Sequence, residues 1–210
     1  MRKLLVFLLL FVVGGVLVAN VWAQRANRAP APAAKGEVTA SAVFAGGCFW
    51  CTESDFDHIA GVVSTLSGYI GGRVANPTYE QVSAGGTGHI EAVRVVYDPR
   101  RVSYATLVER FFRTIDPLDG GGQFCDRGDQ YRSAIFVANA AERRIAEAAK
   151  ARVERRLGRR VATQILPRGT FYRAEDYHQD YYRRNPVRYR FYRWNCGRDA
   201  RLREVWSAGR

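Results

Sequence analysis

The spacing of apolar residues changes along the chain and marks out its elements. Leu4–Val18, LLVFLLLFVVGGVLV, is apolar with no period. Thr39–Gly47 (TASAVFAGG) and His89–Pro99 (HIEAVRVVYDP) alternate, so each predicts a strand, the first feeding a glycine turn. Val62–Gly72, Arg132–Asn139 and Val161–Pro167 read as further strands. Ser103–Asp116 repeats its apolar residues at helical spacing behind a Ser cap, and Ala141–Gly158 is an amphipathic helix. Cys48–Gly61 predicts a helix with acids in its first turns, and Thr78–Gly85 a short one. Pro117–Tyr131 is a Gly-rich loop, a setting that favours functional residues. Ala174–Asn185 predicts a short helix stopped by Pro186, followed by a movable aromatic and basic tail. Strands and helices alternate, which argues a two-layer α/β sandwich.

The chain has 210 residues, 47% of them hydrophobic, enough for one domain with a real core and no need of disulfide staples. The first residues read as a targeting segment. Met1–Lys3 is a basic start, Leu4–Val18 an apolar run, and Val21–Ala23 a cut-site pattern before Gln24. Residues 1–23 are therefore a signal peptide or an uncleaved membrane anchor. Either way the domain is expected outside the cytoplasm, in the periplasm or tethered to the inner membrane and facing it. Residues 24–39, rich in Ala and Pro, read as a linker, and 40–210 as the catalytic domain.

Net charge is +12, or 12 − 2 = +10 without Arg2 and Lys3. The excess lies late, in RVERRLGRR and YYRRNPVRYRFYRWNCGRDARLR. No nucleic-acid motif accompanies it, so the basic stretch reads as solvated surface and no nucleic-acid partner is expected.

The chemistry begins at AGGCFWCTES, residues 45–54. Cys48 falls at a helix start, where unpaired N–H groups stabilise a thiolate, so its pKa is expected to fall. Cys51 is too near to close a stabilising loop, which points to redox chemistry instead. Neither Cys125, Cys196 nor His178 completes a zinc spacing, so no metal is expected. Phe49 and Trp50 fit the wall of an apolar pocket or ordinary core.

GGCFWCTE, GYIGG, NPTYEQV, GTGHIEAVRVVYDP, FCDRGDQYRSAIF and EDYHQDYY follow one another in an order that resembles the A-type peptide methionine sulfoxide reductases. The resemblance spans about residues 43–182. It implies an α+β fold, a two-layer sandwich with a central mixed sheet and a ferredoxin-like core. It implies thiol-dependent reduction of methionine-S-sulfoxide without a cofactor. Cys48 is then the nucleophile, with Glu91 protonating the sulfoxide oxygen and Tyr79 and Tyr131 donating hydrogen bonds. Phe49 and Trp50 would hold the substrate methyl, with Asp126 and His178 in the binding site. Burial would keep Glu91 partly protonated. The oxidised Cys48 would be resolved by Cys196 first, Cys51 second or Cys125 third. Cys125 departs from the family's usual Asn and also reads as a small buried apolar residue. A thioredoxin-like reductant and a monomer are expected.

Overall fold

The computed structural model describes residues 38–207. The expected signal segment (1–23) and most of the linker lie outside the described residues, and no described helix is long and apolar enough to cross a membrane.

The chain folds in the order β1 (Ala40–Gly46), α1 (Phe49–Asp57), β2 (Val62–Ile70), α2 (Tyr79–Ser83), β3 (Ile90–Tyr97) and α3 (Tyr104–Arg113). A two-residue hairpin follows, β4 (Gly122–Gln123) and β5 (Asp126–Arg127), then β6 (Ser133–Val137), α4 (Ala140–Leu157), β7 (Gln164–Pro167) and β8 (Phe171–Arg173). Three helices close the chain: α5 (Tyr181–Arg184), α6 (Pro186–Asn195) and α7 (Arg198–Ser207). Short 3-10 turns at Asp129–Tyr131 and Asp176–His178 carry two of the expected site residues.

The main sheet has the order β7-β6-β1-β3-β2-β8. Its inner four strands, β6-β1-β3-β2, are antiparallel with the connectivity β-α-β-β-α-β, the ferredoxin-like core. β7 lies parallel to β6, which makes the sheet mixed. The sandwich and its mixed sheet are as the sequence implies.

Local chemistry explains the helix starts. The Ser103 side chain accepts the Thr106 N–H at 3.1 Å to start α3, and Asn139 accepts from Glu142 at 2.9 Å to start α4. Gly158 ends α4 in the left-handed conformation, φ 61°. α3 turns Tyr104, Leu107, Val108, Phe111 and Phe112 inward.

β1 runs through the centre, and its alternate residues serve two faces. Ala42 and Phe44 join the large core beneath the helices, while Val43 and Ala45 join a smaller cluster on the opposite face. Phe44 is fully buried and stacks on Phe56 (4.7 Å) and Phe111 (5.1 Å). Phe44→Ala should therefore destabilise the domain by about 3–5 kcal/mol, read as a shifted denaturant midpoint at unchanged slope.

Two expectations need correction. α1 ends at Asp57, short of Gly61, and has no acid in its first turn. The short helix does end at Arg184, before Pro186, but Pro186 also opens α6, where a missing N–H does no harm, so the tail continues as two helices.

Candidate active site

β1 delivers Gly46, Gly47 and then Cys48 to the start of α1, where Cys48 is the N-cap residue. Both glycines are required. A Cβ on Gly46 would lie 2.7 Å from Thr52 Oγ1, and one on Gly47, at φ +81°, 2.5 Å from Gln123 Cβ. Gln123 cannot yield, because its amide accepts the Asp116 N–H and donates to the Asp116 carbonyl, both at 2.8 Å.

Helix starts leave N–H groups without partners. Here the Phe49 N–H donates to Glu91 Oε2 at 3.0 Å, reaching across from β3. That contact fixes the face of Glu91, which alternation could not decide. Glu91 is buried, and burial pushes its carboxyl up to about 8 against the opposing pull of the Phe49 N–H; Asp126 and Cys51 push the same way.

The cysteines depart from expectation. Burial raises Cys48 well above the usual thiol value, and the neighbouring Cys51 thiol raises it further. The Cys48 thiol in turn lowers Cys51, with Arg198 and Arg193 adding to the effect. The helix start does not lower Cys48, because the buried thiol faces Glu91 and Asp126 and the first free N–H is already taken. Cys196 is bonded to Cys125, while Cys48 and Cys51 are free thiols. Cys125 is exposed, not a small core residue, because it sits at the tip of the β4–β5 hairpin.

Aromatic rings line the mouth. Trp50 stacks flat on Tyr181, with centroids 3.7 Å apart, and meets Tyr192 edge-on at 5.8 Å. Its indole N–H donates to His178 Nδ1 at 3.1 Å. Burial holds His178 below its ordinary pKa, so the ring is neutral and its proton is on Nε2. Phe49 contacts His178 (4.8 Å) and Tyr69 (5.9 Å).

Tyr79 and Tyr131 lie close to each other, and burial raises both, so both keep their protons. Glu91 and Cys48 are close enough to both hydroxyls to raise them further. Glu175 holds this side in place, accepting the Tyr79 N–H and the Tyr69 hydroxyl, each at 2.8 Å. Asp126 accepts the Tyr192 hydroxyl at 2.5 Å and is itself raised by burial.

One free thiol, one protonated carboxyl and two phenol donors thus converge beneath an aromatic wall. This suits attack on a neutral polar group that must be protonated as it reacts. A cavity of about 810 Å³ opens elsewhere, between α1 and α3, and is lined by neither Cys48 nor Glu91.

The comparisons agree with this chemistry. A model of the family described as peptide methionine sulfoxide reductase matches residues 40–210. The chain belongs to that family. It is 52% identical to peptide methionine sulfoxide reductase MsrA 2 of Caulobacter vibrioides over 180 residues, covering 85% of this chain and 91% of that one. It is 54% identical to the MsrA 2 of Rhizobium meliloti over 166 residues, covering 79% and 83%. Among solved structures, methionine sulfoxide reductase A of Corynebacterium diphtheriae superposes with a TM-score of 0.66 at 37% identity, covering 74% of this chain and 78% of that one. Reduced Mxr1 of Saccharomyces cerevisiae gives 0.68 at 32% identity, covering 71% and 87%. The reaction class is therefore peptide-methionine (S)-S-oxide reduction, an oxidoreductase activity.

In this reductase the tail is not the solvated surface expected of it. Tyr189 and Arg198 are buried, and Tyr192 and Arg193 face the cysteines. Helix spacing was the available signal: Tyr189, Tyr192, Arg193 and Cys196 fall at steps of three and four.

Proposed function

We propose that this reductase repairs methionine-S-sulfoxide, peptide-bound or free, in an exported setting, with Cys48 as nucleophile. The observation that carries it is Glu91, buried and protonated, gripping the helix start beside the Cys48 sulfur. Phe49 and Trp50 hold the substrate methyl, since sulfur and methyl groups favour ring faces. Tyr79 and Tyr131 hydrogen-bond the sulfoxide oxygen while Glu91 supplies its proton. Asp126 and His178 shape the pocket through Tyr192 and Trp50. The net change moves oxygen from the substrate sulfur to Cys48. Methionine leaves reduced by two electrons, and Cys48 becomes a sulfenic acid.

Cys51 is the better resolver in this state. Its N–H donates to the Cys48 carbonyl at 3.2 Å and its thiol is free, whereas Cys196 is already bonded to Cys125. A disulfide and water result. A thioredoxin-like protein then returns two electrons, entering through exposed Cys125 of the Cys125–Cys196 bond or directly at the Cys48–Cys51 bond.

A single turnover decides the scheme. Protein with Cys48 and Cys51 as thiols and the Cys125–Cys196 bond intact, given a methionine-S-sulfoxide peptide without reductant, should release one methionine per chain and form a Cys48–Cys51 bond on peptide mapping. A Cys48–Cys196 bond would transfer the resolving role to Cys196, and no methionine would overturn the proposal. The exported setting rests on Met1–Ala23 and is tested by fractionating cells for the mature chain.

A further inference from the structure

The reaction as described leaves one buried cation unused. Arg198 opens α7 and is 1% exposed. A guanidinium away from water is costly unless it is paired. Its Nη1 and Nη2 donate to the Gly46 carbonyl at 3.3 Å, and Nη2 donates to the Thr114 carbonyl at 2.7 Å. Asp55 is 3.5 Å away, but Arg193 holds the same carboxylate more closely, at 2.8 Å. Arg198 Nε has no hydrogen-bond partner among the described residues. The two cations therefore share the largely buried Asp55, with Asp126 near Arg198 and half-exposed Asp199 paired to Arg193.

This cluster of guanidinium groups and carboxylates lies against the cysteines. Gly46 is two residues before Cys48, and Asp55 is one helical turn after Cys51 on the same face of α1. The guanidinium contacts both the Gly46 carbonyl and Asp55, and it is one of two cations whose charge acts on Cys51, between them on the chain. We infer that Arg198 is a positioning residue for the second step, holding Cys51 as the thiolate that attacks oxidised Cys48. Its fork to the Gly46 carbonyl also fixes the turn that carries Cys48. The groups facing Cys51 are Cys48, Glu91, Asp55, Tyr189, Tyr192, Arg193 and Arg198, of which only the two arginines are cations. The lowered Cys51 thiol agrees with this, its first cause being the Cys48 thiol and its favourable charges the arginines.

The Cys125–Cys196 disulfide keeps Arg198 seated. Phe124, just before Cys125, lies under the guanidinium at 4.5 Å, and Cys196 is two residues before Arg198.

The step balances. The Cys51 thiolate attacks the sulfenic sulfur of Cys48, an S–S bond forms and the S–O bond breaks. Hydroxide leaves and takes up a proton as water. Cys51 is oxidised and Cys48 is reduced from the sulfenic level.

The inference rests on Cys48 and Cys51 acting as proposed, and the test separates the two ideas. In a single turnover, methionine release reports the first step. Decay of dimedone-trappable sulfenic acid reports the second. Arg198→Met should slow sulfenic decay relative to methionine release by about tenfold or more, as thiolate is lost from Cys51. Arg198→Lys, which keeps the charge, should recover most of that ratio. Should Arg198→Met not fold, Arg198→Gln, which keeps an N–H donor for the carbonyls, carries the same expectation. An unchanged ratio in the neutral variants, or no recovery with Lys, would overturn the role of Arg198 while leaving the main scheme intact. Absence of methionine from the wild-type protein would instead sink the scheme itself.

Discussion

Cys48→Ser should bind methionine sulfoxide and release no methionine, with the rate down by on the order of 10⁴–10⁶. A serine hydroxyl is a poor nucleophile here, and Glu91, placed to donate a proton, is no base for it. Folding should survive, because the Cys48 side chain makes no capping bond and the turn is set by Gly46, Gly47 and the backbone. Product quantified against the unfolding midpoint separates lost chemistry from lost structure. Turnover near the wild-type rate in a folded Cys48→Ser protein would remove Cys48 from the reaction.

Glu91→Gln should slow methionine release by roughly 10²–10⁴, the usual contribution of a general acid. Gln keeps an oxygen for the Phe49 N–H, so the helix start stays in register. The pH profile should change as well. Glu91 is raised from 4.5 to about 8, so at pH 7 the folded protein holds its proton. Wild-type activity should fall as pH rises through about 8, and the Gln variant should lack that limb. Stability carries the same sign. Between 4.5 and about 8 the folded chain keeps a proton that the unfolded chain has lost, so this group's contribution declines with rising pH and then levels. Glu91→Gln should remove that slope. Equal methionine-release rates for the two proteins across this range would refute the acid role.

Much of this was legible because neighbours in sequence stay neighbours in space. Gly46 to Cys51 is a strand end, a turn and a helix start, and its local chemistry determined its shape. Glu91 was harder to place. β3 buries residues on both faces, so alternation said nothing about which way Glu91 points. The tail was misread because charge was averaged over it. Exposed Arg188 and Arg190 hide the fact that Arg198 is buried against carbonyls at Gly46 and Thr114, which no local pattern can supply. The Cys125–Cys196 pairing was equally out of reach, since four cysteines allow three connectivities.

The distance between Gly46 and Arg198, 152 residues along the chain, also has a meaning in time. Chains are made at about 5–20 residues per second, so the reactive thiol exists for roughly 8–30 s before its last cover is synthesised. For most of that interval Trp50 has no Tyr181 to stack on, and Cys51 has no cation beside it. The nascent reductase is thus a protein with an open thiol pair and an unfinished pocket. Its competence arrives with the final helices, so a ribosome stalled after residue 185 would display the nucleophile and lack the cysteine setting that lets it complete a cycle.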